Sequence, residues 1–177
     1  MIGTVRGRVR RRPLFLGVLI VAVVGGALVF GLGARPSVEV LNSVPLERGF
    51  VGTAYAFDGL VCVGSQVTTT VVTGVEVEQS EGGTTRVVLA PDGPPTVGFP
   101  VDPAIGTAVD GFEIPAGEPD CGLRVLVTPD RLGQVSAGVV RLKVTYGPGG
   151  LLRRTLTATP EVTLDVTGTG EDPRSAA

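Results

Sequence analysis

The sequence predicts an all-β domain, a β-sandwich, preceded by one N-terminal transmembrane helix. An uncharged apolar stretch near the N-terminus is long enough to cross a bilayer. After residue 35, apolar side chains recur at every second position, as they do in half-buried strands. Glycine, proline and Asp-Gly pairs divide this region into short runs spaced about ten residues apart, which is typical of a β-sandwich.

Residues 1–12 form a basic segment that precedes the apolar stretch. Its five arginines are Arg6, Arg8, Arg10, Arg11 and Arg12. Because moving such a cluster across the membrane is unfavourable, these arginines are a topology signal that keeps the N-terminus in the cytoplasm. The chain beyond the apolar stretch is therefore expected to lie outside the cytoplasm.

Residues 13–34 are the predicted transmembrane signal-anchor helix. Twenty residues at 1.5 Å each give a helix of about 30 Å, which matches the hydrocarbon core of a bilayer. The segment contains no charged side chain, so nothing in it suggests an ion or proton path. A cleaved signal peptide is the alternative, since Gly31-Leu32-Gly33 is a small-x-small site. Signal h-regions are shorter, about 7 to 15 residues, and we therefore expect a retained single-pass anchor in the cell membrane.

Residues 36–167 are predicted to form the extracytoplasmic domain. The clearest strand places Val140, Leu142 and Val144 on one face and polar side chains on the other. The other predicted strands are residues 38–41, 55–63, 66–72, 75–79, 85–90, 123–127, 151–158 and 162–166. An immunoglobulin-like topology would accommodate these strands, although the chain has no tryptophan to pack against a disulfide.

Two glycine-containing links predict hairpins. Gly147-Pro148-Gly149-Gly150 is a four-residue turn leading into the strand at 151–158. Gly82-Gly83 is expected to join strand 75–79 to strand 85–90.

Consecutive arginines break the alternation of the strand at 151–158. Arg153 and Arg154 cannot both share the solvent-facing phase of a regular strand, and a β-bulge is the predicted explanation. The alternative is an inward or edge arginine held by a carboxylate such as Asp165 or Glu161.

The two cysteines, Cys62 and Cys121, are expected to form a disulfide. Both follow the apolar stretch, and a disulfide persists outside the cytoplasm. Cys121 shares the phase of Leu123, which predicts that it points toward the core. Two buried free thiols are the alternative, and a catalytic dithiol is disfavoured because the chain contains neither Cys-x-x-Cys nor histidine.

A proline-rich segment, residues 90–120, is predicted to be mostly ordered loop. Its seven prolines remove backbone donors, and apolar side chains lie among them. The candidate contact residues of this loop are Phe99, Ile105, Phe112 and Ile114. The alternative is that these side chains cover one edge of the sandwich as a satellite core. The tail, residues 168–177, lacks apolar periodicity and is predicted to be disordered.

Charge and composition exclude several classes of function. Ten of the fifteen basic residues and all seventeen acidic residues follow the apolar stretch, so the outer domain is acidic. This argues against binding nucleic acid, or an anionic lipid surface, through a basic patch. Because the chain has no histidine, Ser-His-Asp and Cys-His nucleophiles and imidazole metal sites are excluded. We predict no catalytic residue, no metal site and no cofactor.

The expected function is a non-catalytic binding or scaffold module for another cell-envelope protein. The lipid bilayer is its second partner, through the N-terminal helix. The alternative is a secreted or anchored binder of a small ligand, a glycan or a cation through the 90–120 loops. An enzyme that uses carboxylates alone is the third hypothesis.

Overall fold

The computed structural model describes residues 35–41, 44–78 and 80–169. These residues form a nearly all-β fold with several sheets, an arrangement consistent with a β-sandwich. The predicted segments 1–12 and 13–34 lie outside the described residues, as does the predicted tail from residue 170 onward.

Within the described residues the chain forms twelve strands and one short 3-10 turn at Pro148–Gly150. In chain order the strands are β1 (Ser37–Val40), β2 (Val44–Val51), β3 (Ala54–Gly64), β4 (Thr70–Glu78), β5 (Gly83–Leu89), β6 (Val97–Val101), β7 (Glu113–Ile114), β8 (Asp120–Pro129), β9 (Gly133–Ser136), β10 (Val139–Tyr146), β11 (Leu152–Ala158) and β12 (Val162–Thr169).

These strands form three sheets. The five-stranded sheet has the order β1-β3-β8-β5, and β6 pairs with the first half of β3. The four-stranded sheet has the order β11-β10-β4-β7, and the three-stranded sheet has the order β2-β12-β9. All strand pairs are antiparallel except β2 with β12, which is parallel.

All three sheets contribute to one large hydrophobic core. Its largest fully buried side chains include Phe57, Leu123, Leu142 and Leu164. Each is worth roughly 1.5 to 3 kcal/mol relative to an exposed position. The alternation predicted for β10 is confirmed, because its apolar positions are buried and Arg141 and Lys143 are exposed.

The hairpin of β10 and β11 is confirmed, whereas the bulge predicted in β11 is wrong. The two strands pair without a register shift from Val140 opposite Ala158 to Tyr146 opposite Leu152. Both arginines of β11 are exposed near the end of the sheet, so no bulge is needed to keep either out of the core. The irregularity lies on the other side of β10, where Thr73 of β4 is the extra residue.

The predicted hairpin of residues 75–79 and 85–90 is wrong. β4 pairs with β10, and β5 pairs with β8 in a different sheet. The intervening Gly82-Gly83 lies where the chain crosses between sheets, and Gly82 accepts a hydrogen bond from the amide of Asp130. Glycine therefore permits a close crossing here, since the carbonyl of Thr128 lies where a Cβ of Gly83 would be.

Thr70 provides a test of the packing between β10 and β7. The side chain is fully buried, and its Oγ1 has no hydrogen-bond partner among the described residues. A buried hydroxyl without a partner costs about 1 to 3 kcal/mol. We expect Thr70→Val to raise the free energy of unfolding by about 1 kcal/mol in urea denaturation, because valine has the same shape without the polar atom.

The matched control is Thr155→Val on the exposed face of β11. We expect it to change stability by less than about 0.5 kcal/mol. A destabilised Thr70→Val variant would show that the hydroxyl has a compensating partner.

Candidate functional site

The candidate site is built on the outer face of the five-stranded sheet, opposite the main core. There Ala56, Val88 and Leu126 form a second small apolar cluster with the partly buried Val101. The strands β3 and β8 are consequently buried on both faces. Residues 90–107 cover this outer face, since β6 pairs with β3 and the amide of Leu89 donates to the carbonyl of Thr107.

A buried ion pair lies beneath this segment. Arg124 donates from Nε to Asp58 Oδ1 at 2.6 Å and from Nη2 to Asp58 Oδ2 at 2.7 Å. The side chains are only 4% and 6% exposed, respectively. The hydrogen bonds with Asp58 raise the pKa of the Arg124 guanidinium above its ordinary value, so the group stays charged.

Asp58 also binds the covering segment directly. Its Oδ2 accepts a hydrogen bond from the amide of Thr96 at 2.7 Å, and its own amide donates to the carbonyl of Thr96 at 2.8 Å. Farther along, Arg86 donates to the carbonyl of Pro103 at 2.7 Å. The segment is thus attached to the sheet at several points, and the ion pair lies at its centre.

Two glycines of the segment pack closely against neighbouring side chains. Gly98, within β6, has φ of 70° and lies against Leu46 of β2, and Gly106 has φ of 101° and lies against Val88 of β5. A side chain at either position would be strained and would overlap its neighbour. Both positions therefore require glycine.

The four predicted contact residues fall into two pairs. Phe99 is 59% exposed and Ile105 is 36% exposed, whereas Ile114 is fully buried and Phe112 packs against the main core. Phe99 lies directly opposite Ala56, so its side chain projects from the outer face. Phe99 and Ile105 make up what we call the outer-face apolar surface. Val97 is also 41% exposed, but it pairs with Phe57 of the main core and is not part of this surface.

The predicted disulfide between Cys62 and Cys121 is confirmed. It joins the neighbouring strands β3 and β8. The prediction that Cys121 points into the core is wrong, because Cys121 is only half-buried and its partner Cys62 lies between the core residues Val61 and Val63, on the opposite face of β3. Between Val61 and Val63 the register of β8 gains a residue, which shifts Cys121 out of the phase of Leu123.

The predicted topology signal, Arg6, Arg8, Arg10, Arg11 and Arg12, lies outside the described residues. Within residues 35–41, 44–78 and 80–169, no helix is both long enough and apolar enough to cross a membrane. In the same part of the chain, no group of three or more histidine, cysteine, aspartate or glutamate side chains is arranged to hold a metal ion.

Three open grooves lie elsewhere on the described surface. The first, of about 490 Å³, crosses β11, β10 and β4 and is lined by Lys143, Arg153 and Arg154 among others. The second, of about 520 Å³, lies around Pro160, and the third, of about 550 Å³, lies between β1 and β11. None of the three is lined by the 90–120 segment.

The ion pair was not among the residues singled out in the sequence. A signal for it exists in β8, where Arg124 and Leu126 share the phase that alternation assigns to solvent. The apolar Leu126 in that phase indicates that the outer face is buried. Arg124, which shares this phase, must then be paired with a buried group of opposite charge.

Comparison with models of known protein families gives no match, and none of the curated proteins compared with the chain is detectably similar to it.

Proposed function

We propose that this protein is a single-pass membrane-anchored module whose extracytoplasmic β-sandwich binds another cell-envelope protein without catalysing a reaction. The anchor is the apolar segment 13–34, with its N-terminus in the cytoplasm. The outer-face apolar surface is the contact site for the partner.

One observation supports this proposal above all: the segment that presents the outer-face apolar surface is hydrogen-bonded to the five-stranded sheet. Phe99 and Ile105 remain exposed although the segment that carries them is attached by the Asp58–Arg124 pair and by backbone hydrogen bonds. A surface held in one conformation loses little conformational freedom when it binds. Exposed aromatic side chains of this kind are the usual anchors of protein interfaces.

The ligand-binding alternative receives less support. A small-molecule site needs a concave apolar pocket with a few polar groups directed into it. The three grooves described above are formed by other strands, and the 90–107 segment lies over the outer face. A contact with a protein fits this geometry better than enclosure of a small ligand.

The proposal predicts that Phe99→Asp prevents binding of the partner. In the native envelope, the tagged full-length protein is cross-linked, and the proteins that co-purify are identified by mass spectrometry. We expect Phe99→Asp to reduce the specific cross-linked product about tenfold or more, because a charged residue would replace the aromatic anchor.

Leu132→Asp is the matched control. The exposed fraction of Leu132, 56%, is similar to that of Phe99, but Leu132 lies elsewhere, in the connection from β8 to β9. We expect this variant to cross-link like the wild type. Equal loss from both variants, or an unchanged product with Phe99→Asp, would contradict the proposed contact site.

A further inference from the structure

The β10–β11 hairpin and the first described residues lie at the same end of the β domain. Ser37 of β1 pairs with Gly64, the last residue of β3, and the chain then continues to Thr70, the first residue of β4. Thr70 pairs with Tyr146, which also pairs with Leu152 where the hairpin turns. A direct contact joins the two regions, because Arg154 Nη1 donates to the carbonyl of Pro36 at 3.1 Å. The hairpin tip therefore lies close to the residue that follows the predicted membrane helix.

This end presents apolar side chains to solvent. Leu151 in the turn is 81% exposed, which is the largest exposed fraction among the large apolar side chains described, and the adjacent Leu152 is 45% exposed. Val67, in the connection between β3 and β4, is 46% exposed. The hairpin turn thus projects two neighbouring leucines beyond the end of the core.

Arginines flank these leucines. Arg153 and Arg154 directly follow Leu152, and Arg154 lines a groove together with Arg35. All three arginines are exposed. The composition of this acidic domain disfavoured a basic patch. The fold nevertheless brings the three arginines to the same end of the domain, although Arg35 is more than a hundred residues from the other two in the sequence.

Acidic side chains also lie at this end, but they are not next to β11. Glu113 belongs to β7, at the far edge of the sheet whose order is β11-β10-β4-β7, three strand spacings or about 14 Å from β11. Glu118 and Asp120 flank Pro119, which lies against Gly64, and Gly64 pairs with Ser37 of β1. The positive charge beside the leucines is therefore carried mainly by Arg153 and Arg154 of β11.

We propose that the hairpin tip, Leu151 and Leu152 with Arg35, Arg153 and Arg154, binds the surface of the bilayer that anchors the protein, at anionic phospholipid headgroups. This inference rests on the anchor in the proposed function, because Arg35 directly follows the predicted span. Leucines enter the boundary between headgroups and acyl chains, and arginines bind the phosphates of the lipids. The contact would fix the orientation of the domain at the membrane.

Fluorescence quenching in proteoliposomes tests the inference on the full-length chain. Leu151→Cys introduces one free thiol, since Cys62 and Cys121 are paired. The thiol carries an environment-sensitive fluorophore, and the vesicles contain phosphatidylglycerol with a nitroxide quencher on the lipid headgroup. Leu132→Cys is the matched control, because Leu132 follows the end of β8 far from the hairpin tip.

We expect quenching at position 151 to be several-fold greater than at position 132. Replacing phosphatidylglycerol with phosphatidylcholine, or introducing Arg153→Gln, is expected to reduce quenching at position 151. Arg131→Gln is the charge-matched control, since Arg131 is also exposed but lies beside Leu132. Equal quenching at the two positions would overturn the inference.

Vesicle flotation separates this inference from the anchor. A protein that floats with the vesicles but shows equal quenching at positions 151 and 132 retains its anchor, and only the lipid contact of the hairpin is overturned. A protein that does not float contradicts the anchor, and the lipid contact is then overturned with it.

Discussion

Asp58→Ala is expected to lower the free energy of unfolding by about 3 to 5 kcal/mol. The substitution leaves the Arg124 guanidinium buried and charged without its carboxylate partner. It also removes the acceptor for the amide of Thr96, so the 90–107 segment loses an attachment to the sheet. Urea denaturation with the disulfide intact measures the change.

Two further variants control this result. Glu76→Ala breaks the exposed ion pair with Lys143 and is expected to lower stability far less than Asp58→Ala does, because solvent screens that pair. The double variant Asp58→Leu with Arg124→Leu removes both buried charges and should recover part of the stability lost in Asp58→Ala. If Asp58→Ala costs no more than Glu76→Ala, the ion pair does not hold the segment.

Removal of the disulfide is expected to cost about 4 kcal/mol in the double variant Cys62→Ala with Cys121→Ala. The bond closes a loop of 59 residue steps, and its loss releases the unfolded chain from that constraint. Equilibrium denaturation under oxidising conditions compares the variant with the wild type.

A reductant provides the internal control for this prediction. It should lower the stability of the wild type to about that of the double variant and leave the double variant unchanged. A wild type whose midpoint is insensitive to complete reduction would contradict the expected contribution of the disulfide.

The alternation of apolar and polar residues predicted strands best where one face of the strand is buried and the other is exposed to solvent. β10 is such a strand, with buried valine and leucine opposite exposed arginine and lysine. β2 was missed because Pro45 and Gly49 interrupt any pattern, and it pairs only with β12 in a sheet of three strands. Local alternation also carries no information about the partner strand, and for this reason the pairing of β4 and β5 was predicted wrongly.

The candidate site was predictable as a segment but not as a set of residues. Proline and apolar side chains marked residues 90–120, yet the fold divides them into exposed Phe99 and buried Ile114. Asp58 and Arg124 are 66 residues apart, and their pairing depends on the register of β3 with β8. Register is set by the whole sheet and by its bulges, so the ion pair could not be located from local sequence.

Site-specific photo-cross-linking in living cells tests whether the outer-face apolar surface binds a partner. A photoreactive amino acid replaces Phe99 in the full-length protein, and a second variant carries it at Leu132, which is similarly exposed. We expect a discrete adduct with one envelope protein from position 99 and no such adduct from position 132. The absence of an adduct from position 99, or the same adduct from both positions, would contradict the claim that the outer-face apolar surface binds a partner.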